Sequence, residues 1–202
     1  MSNQKRWLCG ALCVGLLLPQ LTMAAEAALK PLPTPDTSKL PAATARQLSE
    51  DRAAFDKVHG TLIGPPLAEA YAAIGVAYAR AGLKDIAAIA LYDATQADPQ
   101  DGRWFYLRGL LARDQKQNAE ARANLEAALA IDKIYLPIRY RLSDTLVDSG
   151  DFDAARKLLD QTAREHADQA VPFAMLGQLS LRQQRYTDAV EKNWPGATGV
   201  AS

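Results

Sequence analysis

Apolar side chains recur along most of this chain at the spacing of amphipathic helices. Between residues 42 and 59, Leu48, Phe55 and Val58 fall on one stripe, while the charged residues of that stretch fall elsewhere. The sequence HGTLIGPP interrupts the stripe, and its paired prolines, Pro65 and Pro66, are typical of a loop that leads into a new helix. The pattern therefore predicts a helix over 42–59, a loop, and a second helix that starts near residue 65.

From that point the chain repeats itself with a step of 34 residues. Three kinds of position recur at this step: small residues at Gly75, Gly109, Ser143 and Gly177, alanines at Ala87, Ala121, Ala155 and Ala189, and leucines at Leu91, Leu125 and Leu159. A period of this length indicates stacked helical hairpins. Turn residues at 81–85, 97–100 and 148–152 fall between the predicted helices.

The recurring residues have a physical reason. A small residue on the first helix and an alanine on the second allow the two backbones to approach closely, and a larger side chain at either place would cost about 1–3 kcal/mol of overpacking. We expect the recurring leucine to fill the gap between one hairpin and the next.

The first unit resembles the tetratricopeptide repeat. The residues that carry the resemblance are Tyr71, Ile74, Gly75, Tyr78, Gly82, Ala87, Leu91, Ala94 and Pro99. Later units are similar to the same repeat but drift, with Arg108 and Ala112 in place of the usual leucine and tyrosine and Lys133 in place of the final proline. The resemblance implies an all-α fold: a right-handed α-solenoid of about three and a half helical hairpins, preceded by an N-terminal helix.

These patterns divide the chain into five segments. We predict a signal peptide over 1–24, a proline-rich exposed linker over 25–41, a capping helix or degenerate half repeat over 42–64, the solenoid over 65–193 and an irregular tail over 194–202. Ala53 and Pro65 lie 34 residues before Ala87 and Pro99, which favours the half repeat. The fourth unit loses the pattern after residue 192, so we expect a short last hairpin, with a truncated or frame-shifted end and a final face covered by a partner as alternatives.

The N-terminus has the layout of a secretory signal peptide. Two positive charges precede the apolar run of residues 7–18, and small residues follow, so cleavage is expected after Ala24, Ala25 or Ala27. An uncleaved anchor is the alternative, although the run is shorter than the roughly 20 residues that span a bilayer. The sequence thus predicts export, in a bacterium to the periplasm.

The positions of the cysteines and histidines and the balance of charges limit the chemistry that this chain could carry out. Cys9 and Cys13 both lie in the apolar run and lack the lipoprotein pattern, so the cleaved chain would have no cysteine for disulfides, thiolate catalysis or metal binding. The two histidines, His59 and His166, lie far apart, and no nucleophile, metal or phosphate motif is present. Basic and acidic residues balance at 23 each, which gives no indication of a nucleic-acid partner. We expect no enzymatic activity, no cofactor and no small-molecule substrate.

A stacked solenoid has a concave groove lined mainly by the first helix of each unit. On this sequence the predicted binding residues are Arg80, Arg103, Tyr106, Arg113, Tyr140, Arg141, Asp144, Gln178 and Arg182. Other residues on the same helices are expected to complete the lining. Most are small or apolar, and one, Asp148, is acidic: Ala72, Ala73, Val76, Leu107, Leu110, Asp148 and Met175.

Tyrosine and arginine combine apolar area with directed hydrogen-bond donors, as interface hot spots do. This mixture would suit an extended peptide or a partner helix, with an acidic group bound by Arg103 or Arg141. One subtype of the resembled family clamps a C-terminal carboxylate with asparagines, but Val76 and Leu107 occupy those places here. Trp104 is expected to be packed inside its hairpin rather than exposed as a binding platform.

The sequence therefore predicts an exported scaffold or adaptor that binds a protein or peptide. The alternative is a docking module cut from a larger exported enzyme or from a cytochrome-biogenesis or envelope-assembly factor.

Overall fold

The computed structural model describes residues 29–193, with side chains as far as Arg185. The predicted signal peptide, both cysteines, the predicted tail, and the side chains of Tyr186 and Ala189 lie outside this part. Between residues 29 and 193 the chain forms α-helices and no β-strand. The helices are α1 (Ala42–Val58), α2 (Pro65–Arg80), α3 (Lys84–Ala97), α4 (Gly102–Asp114), α5 (Asn118–Ile131), α6 (Leu136–Asp148), α7 (Phe152–Glu165) and α8 (Ala170–Asn193).

Three helical hairpins follow one another, formed by α2 with α3, α4 with α5, and α6 with α7. The turns of the first and third hairpins lie where the sequence predicted them. Gly82 and Gly150 take the left-handed conformation, with φ of 81° and 78°, which glycine adopts without a steric penalty. Lys116 occupies the equivalent place in the second hairpin with φ of 59°. Each hairpin then packs against its neighbours, so that the all-α solenoid is confirmed.

Close approach within the hairpins is also confirmed. A methyl group added at Gly75 would lie 3.0 Å from two side-chain atoms of Leu91, and one added at Gly109 would lie 2.7 Å from Leu125 Cγ. Ala87 and Ala121 are fully buried. The recurring leucine lies over the glycine of its own hairpin, because the missing side chain leaves room for it there. Leu125 also belongs to the buried cluster of the next hairpin, as expected for this position.

The fourth unit differs from its prediction. We expected a turn and a short second helix, but α8 is one continuous helix from Ala170 to Asn193. Gln184 stands in the turn position that Gly82, Lys116 and Gly150 occupy in the earlier units, within the sequence RQQR. Because glutamine and arginine favour the helix interior, nothing in this stretch breaks the helix.

Most residues of the proline-rich segment are exposed, as expected, but parts of the segment also contact the helices. Leu32 and Leu40 pack against the buried residues of the first hairpin. Arg52 of α1 donates hydrogen bonds to the carbonyl oxygens of Leu32 and Pro33 at 3.2 and 3.0 Å. The backbone N–H of Lys30 donates to the buried Asp93 carboxylate at 3.0 Å. We call residues 29–40 the N-terminal strap.

Buried apolar side chains form two clusters. The first joins α1, α2, α3 and one side of α4, and includes Tyr78 and Leu91. The second joins α5, α6, α7 and α8, and includes Leu125 and Leu159. Among the described residues, no helix is long and apolar enough to cross a membrane.

Candidate peptide-binding groove

The structure places the nine predicted binding residues in separate surroundings. Arg103 and Tyr106 line one cavity, which we call the aromatic cavity. Arg113, Arg141, Asp144, Gln178 and Arg182 lie together where α4, α6 and α8 are neighbours. Arg80 lies apart, at the end of α2 beside α1.

The aromatic cavity has a volume of about 530 Å³ and lies between the start of α4 and the loop before α6. The rings of Tyr106 and Tyr135 meet edge to face, with centroids 5.8 Å apart. Tyr135 is 49% exposed, so part of its ring is open to a ligand. The cavity is lined by Arg103, Trp104, Tyr106, Leu107, Asp132, Tyr135 and Ile138.

Trp104 forms the inner wall of this cavity. Only 4% of it is exposed, which confirms the prediction that it packs inside the solenoid. Its indole N–H is buried and has no hydrogen-bond partner among the described residues. The Arg103 guanidinium carbon lies 4.5 Å from the centroid of the Trp104 ring. This cation–π contact holds a positive charge at the edge of an apolar cavity.

Arg103 is partly occupied by acidic neighbours. It pairs with Asp101 at 2.6 Å and with Glu69 of the previous unit at 3.5 Å, and its side chain is 61% exposed. Hydrogen bonds from Arg103 hold the pKa of the Asp101 carboxyl below its usual value. Asp101 also caps α4, because it accepts a hydrogen bond from the Arg103 backbone N–H at 2.9 Å. Arg103 is therefore positioned by its own helix start, with most of its surface still open.

A chain of ion pairs links α4, α6 and α8. Arg113 pairs with Asp148 at 3.1 Å and with Asp144 at 3.6 Å. Asp148 also meets Arg182 at 3.4 Å, and Asp144 meets Arg141 at 3.6 Å. Exposed pairs of this kind contribute about 0–1 kcal/mol each, so an acidic ligand group can compete for the arginines.

Tyr140 and Gln178 occupy the remaining predicted places. Tyr140 lies one repeat after Tyr106 and is half-buried. Burial raises the pKa of its hydroxyl, against the lowering effect of the Arg139 charge. Gln178 is exposed on α8 beside a gap of only about 20 Å³. Neither residue extends the aromatic cavity.

One expected lining residue was wrong. Ala72 is 4% exposed and belongs to the first buried cluster, because it lies on the side of α2 that packs within the solenoid. Ala73 and Val76, by contrast, line a surface depression between α1 and α2.

Sequence reasoning missed Asp132, Tyr135 and Ile138, which complete the aromatic cavity. These residues lie at the junction of two units rather than on the first-helix positions that we considered. The sequence KIYLP held an indication, because Ile134 and Tyr135 are large apolar residues in a connecting loop. They are 82% and 49% exposed.

No group of three or more His, Cys, Asp or Glu side chains that could hold a metal ion occurs in the part of the chain that the structure describes. His59 stacks on Phe55, with ring centroids 4.7 Å apart.

Comparison with known proteins finds a family match for part of the chain. Residues 112–179 match the family model described as tetratricopeptide repeat. No curated protein sequence matches the chain.

Solved structures of the same fold include MamA, YrrB and the first TPR of Spaghetti (RPAP3). MamA is 19% identical, with a TM-score of 0.57 over 72% of this chain and 86% of the MamA chain. YrrB, described as a TPR protein with an unusual peptide-binding site, is 19% identical, with a TM-score of 0.56 over 74% of each chain. The Spaghetti domain, bound to the HSP90 peptide SRMEEVD, is 17% identical, with a TM-score of 0.55 over 63% of this chain and 98% of that chain.

The repeating sequence, the stacked hairpins and the family match over residues 112–179 agree, so the described part of the chain has the fold of tetratricopeptide-repeat proteins.

Proposed function

We propose that this protein is a scaffold that binds an extended peptide segment of a partner protein, with an apolar side chain in the aromatic cavity. The observation that carries the proposal is the cavity itself: an opening of about 530 Å³ with two tyrosine rings, an apolar wall and an arginine at its edge. Ligand sites are mostly apolar and hold a few polar groups that fix orientation. No other part of the predicted groove in the described chain combines these features.

The charges around the cavity suggest the chemistry of the peptide. The Arg103 side chain is mostly exposed at one side of the opening, and Arg141 and Arg113 lie further along the first helices. A carboxylate next to the anchoring apolar side chain would meet Arg103 in charge-assisted hydrogen bonds. We therefore propose a peptide in which an aromatic or branched aliphatic residue stands beside an acidic residue.

Proteins of the same fold support a peptide ligand, while the residues of this chain favour a mode of recognition that differs from the carboxylate clamp. The Spaghetti domain is bound to a peptide from HSP90, and YrrB is described as having an unusual peptide-binding site. In this chain Val76 and Leu107, which stand in the places of the carboxylate-clamp asparagines, lack side-chain amides. Recognition would therefore depend on the apolar cavity rather than on a clamped chain terminus.

Selection from a displayed library of short peptides tests this function. We expect the selected peptides to share an apolar anchor next to an acidic residue. Tyr135→Ala should weaken their binding about tenfold, or about 1.4 kcal/mol, in fluorescence anisotropy, because it removes the exposed wall of the cavity. The helical circular dichroism should not change, since Tyr135 lies outside the helices.

Ile63→Ala is the matched control. Ile63 is an exposed apolar loop residue, 83% accessible, between α1 and α2 and away from the aromatic cavity. It should leave peptide affinity unchanged. Peptides that bind wild type and Tyr135→Ala equally well would place the ligand elsewhere and refute the proposed site.

We further propose that the protein acts after export, in a bacterial periplasm. The charged start, apolar run and small residues of positions 1–27 support this proposal. N-terminal sequencing of the protein from a bacterial periplasmic fraction should give a chain that starts at Ala25, Glu26 or Ala28. A chain that retains Met1 and stays with the membrane would contradict cleavage.

A further inference from the structure

A second surface depression lies at the N-terminal end of the solenoid, between α1 and α2. It has a volume of about 500 Å³, and its walls carry mostly small apolar side chains, among them Ala54, Ala73 and Ala77. Asp51 lies on its α1 wall. We call this depression the N-terminal groove.

The repeat shows what normally occupies this place. Ala70 and Ala77 of the groove stand one repeat before Trp104 and Leu111, which are 4% and 7% exposed because they pack against the preceding unit. Ala53 of α1 stands one repeat before Ala87, so α1 has the position of a second helix. The N-terminal groove is therefore the place of a first helix that would pair with α1.

The opposite end of the solenoid has the complementary gap. One side of α8 packs against α7, while Phe173 and Leu181 on the other side are 51% and 59% exposed. A methyl group added at Gly177 would have no described atom within 4 Å, although Gly75 and Gly109 at the same repeat position each lie under a leucine. In the part of the chain that the structure describes, α8 is a first helix with no second helix. We call this side the C-terminal face.

Charge favours pairing of the two ends. In each hairpin of this chain, the last turn of the first helix lies beside the start of the second, as the turn hydrogen bonds from Leu83 to Tyr78, from Gln117 to Ala112 and from Asp151 to Leu146 show. Pairing α8 with α1 in the same way brings Arg185 toward Glu50. Both side chains are exposed, and neither forms an ion pair among the described residues. At the same register the glycine of α8 would lie beside Lys57, which stands one repeat before Leu91.

We infer that α8 of one copy docks in the N-terminal groove of a second copy and completes one hairpin with α1. The contact continues the stacking that joins units within the chain. Each copy uses its C-terminal face to bind one neighbour and its N-terminal groove to bind another. The contact is therefore head to tail and does not close by two-fold symmetry. Copies would then join into longer chains as concentration rises.

Sedimentation velocity of the full chain with two blocking variants tests this inference. Gly177→Trp covers the C-terminal face, and Ala54→Trp fills the N-terminal groove. Both positions are exposed, so neither change should alter helical circular dichroism. Wild type should sediment as monomers, dimers and longer species with rising concentration. Each variant alone should associate at least tenfold more weakly.

An equimolar mixture of the two variants provides the sharper measurement. Gly177→Trp keeps an intact groove and Ala54→Trp keeps an intact α8, so the mixture should form a one-to-one dimer that does not grow further. Ala123→Trp, on an exposed position of α5, should associate like wild type. A wild type that stays monomeric would leave the C-terminal face to another protein or to residues 194–202 and overturn the inference. A mixture that stays monomeric, or a Gly177→Trp chain that associates like wild type, would overturn it as well.

Discussion

At the scale of single residues, the absence of a side chain decides how the helices pack. Gly75 and Gly109 each allow a leucine of the partner helix to lie directly over the backbone, at distances that a methyl group would not permit. Gly177 has the same repeat position but faces open space in the described structure. Glycine at this position thus allows close packing in the first two units and leaves an unfilled surface in the fourth.

Gly109→Ala should destabilise the protein. The added methyl group would lie 2.7 Å from Leu125 Cγ, and the leucine cannot move without disturbing the second buried cluster. Overpacking of this kind costs about 1–3 kcal/mol, which exceeds the gain of up to about 1 kcal/mol in helix propensity. Chemical denaturation followed by circular dichroism measures the difference.

Gly177→Ala is the matched control for that measurement. The helix propensity gained is the same, but nothing lies within 4 Å of the new methyl group, so we expect a stabilisation of about 0.5–1 kcal/mol. Equal effects of the two substitutions would mean that the close approach at Gly109 has no energetic weight.

Much of the packing of single residues could be predicted from the sequence, because the 34-residue step gives each position an equivalent position in the next unit. The glycine and alanine positions follow from the step alone. The same register marks Lys116 as a residue in a glycine position, and its left-handed φ confirms that the turn geometry is kept despite the side chain. The contact of the recurring leucine with the glycine of its own hairpin was missed, because the spacing predicted its packing toward the next hairpin but not this second contact.

At the scale of elements, the N-terminal strap is the main departure from expectation. Its prolines predict an extended backbone, and that much is consistent with the structure, where residues 29–36 are non-helical. No periodic pattern in the sequence shows where an extended segment docks. The contact depends on Asp93, a carboxylate buried on α3 that accepts the Lys30 backbone N–H, and on Arg52.

Asp93→Asn should raise the melting temperature near neutral pH. Burial raises the pKa of the Asp93 carboxyl despite the opposing effect of Lys30, so the folded protein favours the protonated form. The stability that this group contributes is therefore present below the usual pKa of aspartate and is lost as pH rises through the raised pKa. The asparagine keeps an acceptor for Lys30 and carries no charge at any pH.

The difference in melting temperature between Asp93→Asn and wild type should accordingly shrink as pH falls from neutral toward the usual pKa of aspartate. Comparing the two chains at each pH removes the contributions of Asp36, Asp101 and Glu165, whose pKa values are lowered. Asp93→Ala, which also loses the acceptor, should be less stable than Asp93→Asn throughout. A difference that does not change with pH would show that Asp93 does not titrate in this range.

At the scale of the whole molecule, the scaffold was predictable and the candidate site only in part. Arg103 and Tyr106 were found because they stand on exposed positions of a first helix. Tyr135 and Asp132 were missed because they lie where two units join, and that junction depends on how the hairpins stack. The ion pairs of Arg113 with Asp144 and Asp148 were missed for the same reason.

The division of the buried side chains into two clusters has a consequence for how the molecule comes apart. A solenoid holds together through contacts between neighbouring units, so its stability is a sum of local contributions rather than the property of one core. The cluster around Tyr78 and Leu91 is anchored by α1 and the strap, whereas the cluster around Leu125 and Leu159 ends at the half-covered α8. We expect the C-terminal units to melt first and the N-terminal units to persist. A protease working from the C-terminus would then shorten the solenoid one unit at a time and remove Ile138 and Tyr135 of the aromatic cavity before it reached the first hairpin.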